Sequence, residues 1–210
     1  YEHQKPTWEK LRTAYQRFQQ NRLELERDPD AAPALQRMND ILNAPSPYAL
    51  IKEADGLIQK VANVNDTLVK QRREQALEKV QGILKQMVAE ADNANVDAAL
   101  KQVCLAPLEK LLAQVDRQES IAHLAHEEQE AESIFDAGIK HIEEASAKPD
   151  PDSEKGEDPK PKIKPRCIIK PGDMVQKTYL ETAEEVEGFV GTLKKKLDEA
   201  IGRGDRVQIK

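Results

Sequence analysis

Apolar residues recur at intervals of three, four and seven residues along most of positions 8–142. This spacing places them on one side of an α-helix, where they must pack against another helix. Aromatic residues make up only 4% of the 210-residue chain and charged residues 33%, a mixture that suits long exposed helices with narrow apolar seams. The pattern therefore predicts a mainly α structure at positions 1–147, a long antiparallel helical hairpin or coiled-coil rod.

The first helix is predicted from Thr7 to Arg27, ahead of the helix-breaking sequence Asp28-Pro29-Asp30. Its aromatic residues are Trp8, Tyr15 and Phe18, which stand at helical spacing. Exposed rings of this kind can stack on nucleic-acid bases. The spacing favours the alternative interpretation, that the rings form the apolar seam. A short second helix is predicted at positions 33–43.

A long third helix is predicted to begin at Ser46 and Pro47, a favourable N-cap followed by a favourable first residue, and to end near Ala91. Its apolar stripe advances by eight residues from Leu68 to Ala76, which predicts a slip of the heptad at "KQRRE", residues 70–74. This basic segment is interpreted as a solvated surface, with contact to an acidic partner as the alternative.

After a turn at "ADNANVD", a second helical arm is predicted as far as Ile142. Pro107 lies inside its pattern and is expected to kink the helix or to begin a new one, because proline lacks a backbone donor. The short turn favours antiparallel packing of the two arms. The next segment, residues 148–165, contains five prolines and ten charged residues in eighteen and is predicted to be a flexible linker.

Residues 166–210 are predicted to form a small α/β cap of strand, helix and strand. Thr182 and Glu185 have the spacing of a capping box, and Gly204 is a favourable helix stop. Such a small unit is marginal alone, so the cap is expected to need the rod or another protein to complete its core. Gly188 and Gly191 are interpreted either as tolerated surface positions or as places where another backbone approaches closely.

No motif for chemistry stands out in the chain. The net charge of −6 does not favour direct DNA binding, and the sequence has no P-loop or dinucleotide-binding glycine motif. His123 and His126 share a helix face without a further ligand segment, so a metal-dependent enzyme is a weak alternative. The tripeptide Arg203-Gly204-Asp205 is interpreted as turn chemistry. We therefore predict no catalytic, cofactor-binding or metal-binding residue.

Other features bear on the setting of the chain. Cys104 and Cys167 form no disulfide or metal pattern, which favours a reducing compartment. No apolar run reaches the length of a membrane span, so we predict a cytoplasmic protein without membrane contact. The first residue is Tyr1 rather than Met, and the chain is interpreted as part of a longer protein.

The segments "APSPYALIKEADGLIQKVANVNDTLV", "CLAPLEKLLAQVDRQESIAH" and above all "KTYLETAEEVEGFVGTLKKKLDEAIGRGDRVQIK" resemble the C-terminal region of the P-loop ATPase family of BREX phage-defence systems (BrxC-like). The resemblance covers nearly the whole chain. It implies a bacterial ATPase-like protein that acts with a DNA adenine methyltransferase, an alkaline-phosphatase-like protein and small accessory proteins. The nucleotide-binding motif of that family lies upstream and is absent here.

The resemblance and the pattern together predict a non-catalytic interaction region that docks other BREX components, with DNA contacted only through the assembled complex. The expected interaction residues all lie in the cap: Tyr179, Leu180, Glu181, Thr182, Gly188, Phe189, Gly191, Leu193, Ile201, Val207 and Ile209. The alternatives are an arm that contacts nucleic acid and a plain coiled coil that associates with itself.

Overall fold

The structure, a computed structural model, describes residues 4–147, 164, 166–175 and 179–209. The chain divides into two compact units, Tyr1–Lys140 and His141–Lys210. The predicted linker at 148–165 lies outside the described residues except for Lys164. The fold class is confirmed: most of the described chain is helical, one helix is very long, and a small unit of two strands and a helix stands at the C-terminal end.

In the described part of the chain, six helices precede the strands. Their bounds are α1 Lys5–Phe18, α2 Arg22–Leu25, α3 Ala31–Leu42, α4 Ala54–Asn93, α5 Ala98–Val115 and α6 Ile121–Ala147. Three short 3₁₀ turns lie between them, at Gln19–Asn21, Pro47–Ala49 and Ile51–Glu53. The last seven residues of α6 belong to the second unit.

Helix α1 ends at Phe18, so the prediction of one helix as far as Arg27 is wrong. The chain makes a 3₁₀ turn at Gln19–Asn21 and resumes as α2. Asn21 has a backbone conformation outside the helical region. Its side chain is fully buried and forms hydrogen bonds with segments that are distant in the sequence. Those tertiary bonds stabilise a turn that local propensity does not favour.

Helix α4 begins at Ala54, so the predicted start at Ser46 and Pro47 is also wrong. The Ser46 side chain makes no capping hydrogen bond, and Pro47 opens a 3₁₀ turn instead of an α-helix. A second turn follows and carries Ile51 into the core. Burial of Ile51 therefore accompanies a later start of the long helix.

The buried positions of α4 follow an eleven-residue period. Ala54, Asn65, Ala76 and Met87 are buried at steps of eleven, and so are Val69, Val80 and Ala91. Eleven residues in three turns is about 3.67 residues per turn, close to the 3.6 of a straight helix. An eleven-residue period is a heptad with four residues inserted, so α4 departs from a strict heptad across residues 70–74 as predicted, but it does so along most of its length and not at that segment alone.

Helix α5 is a single helix through Pro107, so a new helix does not begin there as one form of the prediction had it, and the helical arm breaks instead at residues 116–120. Pro107 and Val103 both lie on the exposed side of α5. Proline removes the backbone donor that would have served the Val103 carbonyl. On an exposed surface, water can hydrogen-bond such a carbonyl, so the helix tolerates the proline.

Helix α4 carries two groups of helices, one after the other. Its first half packs against α1 and α3 around a core that contains Leu11, Phe18, Met38, Ile41 and Val61. Its second half packs against α5, which runs antiparallel to it: Asp92 pairs with Lys101, and Arg73 reaches Gln118. Helix α6 runs parallel to α4, since Arg72 pairs with Glu128 and Lys79 with Glu132.

At Gly138, helix α6 packs closely against α4 and α5. A Cβ at this position would fall against Met87 Cε of α4, 3.1 Å from Met87 Sδ and 3.6 Å from Cys104 Cβ of α5. The buried Cys104 thiol donates to the Gly138 carbonyl at 3.6 Å. Only a glycine leaves room here without a shift of the buried Met87 side chain.

We predict that Gly138→Val lowers the free energy of unfolding by about 1 to 3 kcal/mol, because the added side chain overfills a packed site. Chemical denaturation measures the change. The control is Gly82→Val in α4, where a Cβ meets no atom within 4 Å. Equal effects of the two substitutions would contradict the close packing at Gly138.

Asn21 joins three segments of the first unit through buried hydrogen bonds. Its Nδ2 donates to Asn65 Oδ1 of α4 and to the Glu119 carbonyl, each at 2.9 Å. Its Oδ1 accepts from the Ile121 backbone N–H at 2.9 Å, at the start of α6. The Asn21 and Asn65 side chains are both almost completely buried. These bonds connect the end of α1, the middle of α4 and the loop before α6.

We predict that Asn21→Ala lowers the free energy of unfolding by about 2 to 4 kcal/mol, because it leaves several buried polar groups without partners. Asn63→Ala is the matched control, since Asn63 is exposed and its side chain accepts a hydrogen bond from Gln59 on its own helix. The control should stay within about 0.5 kcal/mol of the parent in the same denaturation experiment. A small loss for Asn21→Ala would mean that the buried amide is dispensable.

The second unit contains β1 Arg166–Ile169, a 3₁₀ turn at Pro171–Met174, α7 Ala183–Gly202 and β2 Arg206–Ile209. The strands pair in parallel, with Arg166 opposite Arg206 and Ile169 opposite Ile209. A parallel pair requires a crossover, and α7 supplies it. Glu143 lies near the end of α6, and its Oε1 forms ion pairs with Arg166 Nε at 3.6 Å and Arg206 Nη2 at 3.9 Å.

Both ends of α7 are fixed by local hydrogen bonds, as predicted. The Glu185 backbone N–H donates to Thr182 Oγ1 at 3.2 Å, and Glu185 Oε2 accepts from the Thr182 N–H at 3.3 Å, which completes a capping box. At the other end, Gly204 has a φ of +83°. Its N–H donates to the Ile201 carbonyl, and the Asp205 N–H donates to the Ala200 carbonyl. This Schellman arrangement turns the chain into β2.

Candidate interaction surface

Helix α7 has a covered face and an uncovered face. Ala200 is buried and Phe189 and Leu193 are partly buried, on the side that contacts the strands and the 3₁₀ turn. Next to this covered side lies a second side of the helix, whose residues follow one another at alternating steps of four and three. We call it the outer face of α7, and it consists of Ala183, Glu187, Val190, Lys194, Leu197 and Ile201. All except Leu197 are exposed.

The outer face exposes large apolar side chains. Val190 is 52% exposed and Ile201 is 64% exposed, and Val186 flanks them at 44%. Just before the helix, Tyr179 is 75% exposed and Leu180 is 38% exposed. Apolar side chains grouped in this way on a small unit are typical of a surface that another molecule covers.

The sheet also leaves surface uncovered. Within the described residues it has only two strands of four residues each, so each strand has one edge without a neighbouring strand. Ile168 on β1 and Ile209 on β2 are exposed at 41% and 57%. Parallel sheets are usually covered on both faces, and two strands alone are marginally stable. This small sheet is therefore able to accept a further strand.

The predicted interaction residues fall into four groups in the structure. Four are exposed apolar side chains: Tyr179, Leu180, Ile201 and Ile209. Glu181 and Thr182 belong to the helix cap, where both backbone N–H groups bond to Glu185. Phe189, Leu193 and Val207 are partly buried within the unit. At Gly188 and Gly191 a Cβ would meet no atom within 4 Å, so no part of the described chain approaches them closely.

Val186, Val190 and Ile168 are exposed apolar residues that the predicted interaction set omitted. The sequence places Val186 and Val190 on the apolar stripe of α7, and such a stripe is normally assigned to the core. A stripe of six apolar residues over two strands of four residues exceeds what those strands can cover. Comparing the length of the apolar stripe with the length of the strands would therefore have identified Val186 and Val190 as exposed.

The Arg203-Gly204-Asp205 tripeptide forms the turn between α7 and β2. Arg203 Nε donates to Asp205 Oδ2 at 3.0 Å, and this hydrogen bond raises the pKa of the guanidinium. Arg203 Nη2 also lies 3.9 Å from the Cys167 thiol of β1. Both side chains of the tripeptide are thus engaged inside the unit. In the first unit, burial raises the pKa of the Cys104 thiol, which disfavours its reactive thiolate.

The aromatic residues of α1 belong to the first core. Phe18 is buried, and Trp8 and Tyr15 pack against the same cluster. The Tyr15 hydroxyl donates to Asn39 Oδ1 at 3.1 Å, and the Arg12 guanidinium lies 5.7 Å from the centre of the Trp8 ring. The interpretation as an apolar seam is confirmed. A role in base stacking would require these rings to leave the core.

The "KQRRE" segment has intramolecular partners. Arg72 pairs with Glu128, and Arg73 donates two hydrogen bonds to the Gln118 carbonyl, at 2.8 and 3.0 Å. Both arginines are partly buried. Their charges therefore hold α6 and the preceding loop against α4, and the expected solvated surface applies only to the remaining residues of the segment.

His123 and His126 line an open groove of about 670 Å³ between the end of α5 and the start of α6. Lys110 and Arg117 contribute to the other wall. Glu127 accepts from Gln118 Nε2 at 3.2 Å. Among the residues that the structure describes, no group of three or more His, Cys, Asp or Glu side chains is placed to hold a metal ion.

None of the described helices combines the length and apolar character that are needed to cross a membrane. Comparison of the chain with models of known protein families gave no match. Comparison with solved structures also gave no match. The fold and the exposed residues of the second unit are therefore the observations on which a functional proposal rests.

We predict that Thr182→Ala destabilises the second unit by about 1 kcal/mol, because it removes the capping hydrogen bond at the start of α7. Amide hydrogen exchange at residues 183–190 should become faster. Thr192→Ala is the matched control, since Thr192 lies in the interior of the same helix and bonds only to the Gly188 carbonyl. Equal acceleration in both variants would contradict a specific role of the cap.

Proposed function

We propose that this chain is a non-catalytic interaction and assembly region of a BREX phage-defence P-loop ATPase-like protein in the bacterial cytoplasm. It docks other BREX components, namely the methyltransferase, the alkaline-phosphatase-like protein or the small accessory proteins. No cofactor is bound by this region, and DNA is reached through the assembled complex. We assign the chain to the BREX system because the segment "KTYLETAEEVEGFVGTLKKKLDEAIGRGDRVQIK" resembles that family.

The observation that carries the proposal is the exposed apolar surface of the second unit. Tyr179 and Ile209 are exposed by more than half, although each has a large apolar surface to bury. The two-stranded sheet has open edges within the described chain, and a partner strand can add to such an edge through backbone hydrogen bonds. Docking of a partner there would cover the apolar residues and extend the sheet together.

Electrostatics also favour a protein partner over direct contact with nucleic acid. The chain has 38 acidic against 32 basic residues, and the two arginines of "KQRRE" are engaged with α6 and its preceding loop. A nucleic-acid interface needs a basic surface and gives binding that falls steeply with salt. Docking through apolar side chains depends only weakly on salt.

The proposal is tested by immobilising the chain and measuring the binding of each purified BREX component at two salt concentrations. We expect at least one component to bind, with similar affinity at both salts. Replacing Tyr179 and Ile209 together by serine should weaken that binding at least about tenfold, as expected when anchors of an interface are truncated. Replacing the exposed polar residues Glu184 and Lys195 of α7 together by serine is the matched control.

Three results would contradict the proposal. The first is that no component binds the chain. The second is that binding survives the Tyr179 and Ile209 substitutions unchanged, which would move the docking surface away from the cap. The third is binding of DNA by the chain alone, with a steep dependence on salt, which would favour the nucleic-acid alternative. Circular dichroism of each variant shows whether the unit has remained folded.

A further inference from the structure

The outer face of α7 has the residue spacing of a helix that pairs with another helix. Ala183, Glu187, Val190, Lys194, Leu197 and Ile201 follow one another at steps of four, three, four, three and four. This is the spacing of the two core positions of a coiled-coil heptad. No strand of the described sheet covers this face, because the strands contact the other side of α7.

Two charged residues interrupt this apolar face, and they have opposite signs. Glu187 lies in the first half of α7 and Lys194 in the second half, and both are exposed. Seven residues separate them, which is about 10 Å along the helix axis, so they cannot pair with each other within one helix. Asp198 lies one turn beyond Lys194, on the flank of the face.

A second copy of α7 satisfies both charges if it runs antiparallel. With a two-fold axis close to Gly191, Glu187 lies beside Lys194 of the second copy, and the symmetry repeats the same pair on the other side. A parallel pair would instead put Glu187 beside Glu187 and Lys194 beside Lys194, which is repulsive. The charges therefore select the antiparallel arrangement and make the face complementary to itself.

The apolar residues agree with this arrangement. Val190 lies close to the axis, where it meets the same region of the second copy, and Leu197 in the second half of the face lies beside Ala183 at its start. Gly191 also lies near the axis, and a Cβ there would meet no atom of the described chain within 4 Å. A glycine at this place allows two helix backbones to approach closely.

We propose that the chain forms an antiparallel dimer through the outer face of α7, with two symmetry-related ion pairs between Glu187 and Lys194. This goes beyond docking of other components, which uses Tyr179 and the sheet edge. A single pair of 20-residue helices makes an interface near the small end of the specific range. The dimer is consequently weak and depends on concentration.

The test is analytical ultracentrifugation of the whole 210-residue chain over a wide range of concentrations. We expect a monomer–dimer equilibrium in the parent. Glu187→Lys and Lys194→Glu should each raise the dissociation constant of the dimer at least about tenfold, because each replaces two attractive pairs by two repulsive ones. An equimolar mixture of the two single variants should form a heterodimer, since each charge then finds an opposite partner.

Two further variants keep the test specific. The double variant Glu187→Lys/Lys194→Glu restores complementary charges within one chain and should recover the parent dimer. Lys195→Glu is the matched control, because it makes the same change of charge and Lys195 has Glu199 four residues on as Lys194 has Asp198. Lys195 is rotated by about 100° around the helix from Lys194 and is not one of the residues of the outer face. This control should associate as the parent does.

A monomer at every concentration would overturn the proposal, and a different protein or residues 148–163 would then be the candidates to cover this face. A parent dimer that the charge reversals do not weaken, or single variants that do not pair when mixed, would also overturn it. None of these results bears on whether BREX components bind, because that binding is measured separately with Tyr179 and Ile209 substituted. Circular dichroism confirms that each variant retains its helix content.

Discussion

Helix α4 is the surface on which both groups of helices in the first unit are built. Most of its buried residues return every eleven positions, so one side of the helix faces α1 and α3 first and then α5 and α6. Because this side drifts only slowly around the helix, by about 20° in eleven residues, helices packed on the two halves of α4 can follow nearly the same side of one axis. The order of the fold depends on this period more than on any single contact.

The polar residue on this side of α4 gives the unit its register. A buried amide in a helical seam costs stability relative to an apolar residue, but it accepts only an arrangement in which its bonds are made. Asn65 has such a partner in Asn21, which in turn reaches the loop before α6. If either group of helices moved along α4, the buried Asn21 and Asn65 amides would lose their hydrogen-bond partners. The apolar residues supply most of the driving force, and the two asparagines select one alignment.

The features that local sequence determines were the ones predicted correctly. The capping box at Thr182, the stop at Gly204 and the seam formed by Phe18 each depend on residues a few positions apart. The errors lie where distant residues decide. The early end of α1 depends on partners of Asn21 about 44 and 100 positions away, and the eleven-residue period was hidden because a buried asparagine does not count as apolar. The outer face of α7 was missed for a related reason: an apolar stripe has the same sequence whether its own chain covers it or not.

Asn21 and Ile121 are 100 positions apart in the sequence, and this separation affects how the protein folds during synthesis on the ribosome. The first core uses residues no later than Leu68, so it can close while the rest of the chain is still being made. Translation from there to Ile121 takes about 3 to 11 seconds at typical rates of 5–20 residues per second. During that interval the Asn21 amide has Asn65 but lacks the backbone groups that complete its bonds. The first unit can therefore complete its packing only after the segment around Ile121 has been synthesised. Until then the second half of α4 lacks α5 and α6, and its apolar side is accessible to a chaperone that binds nascent chains.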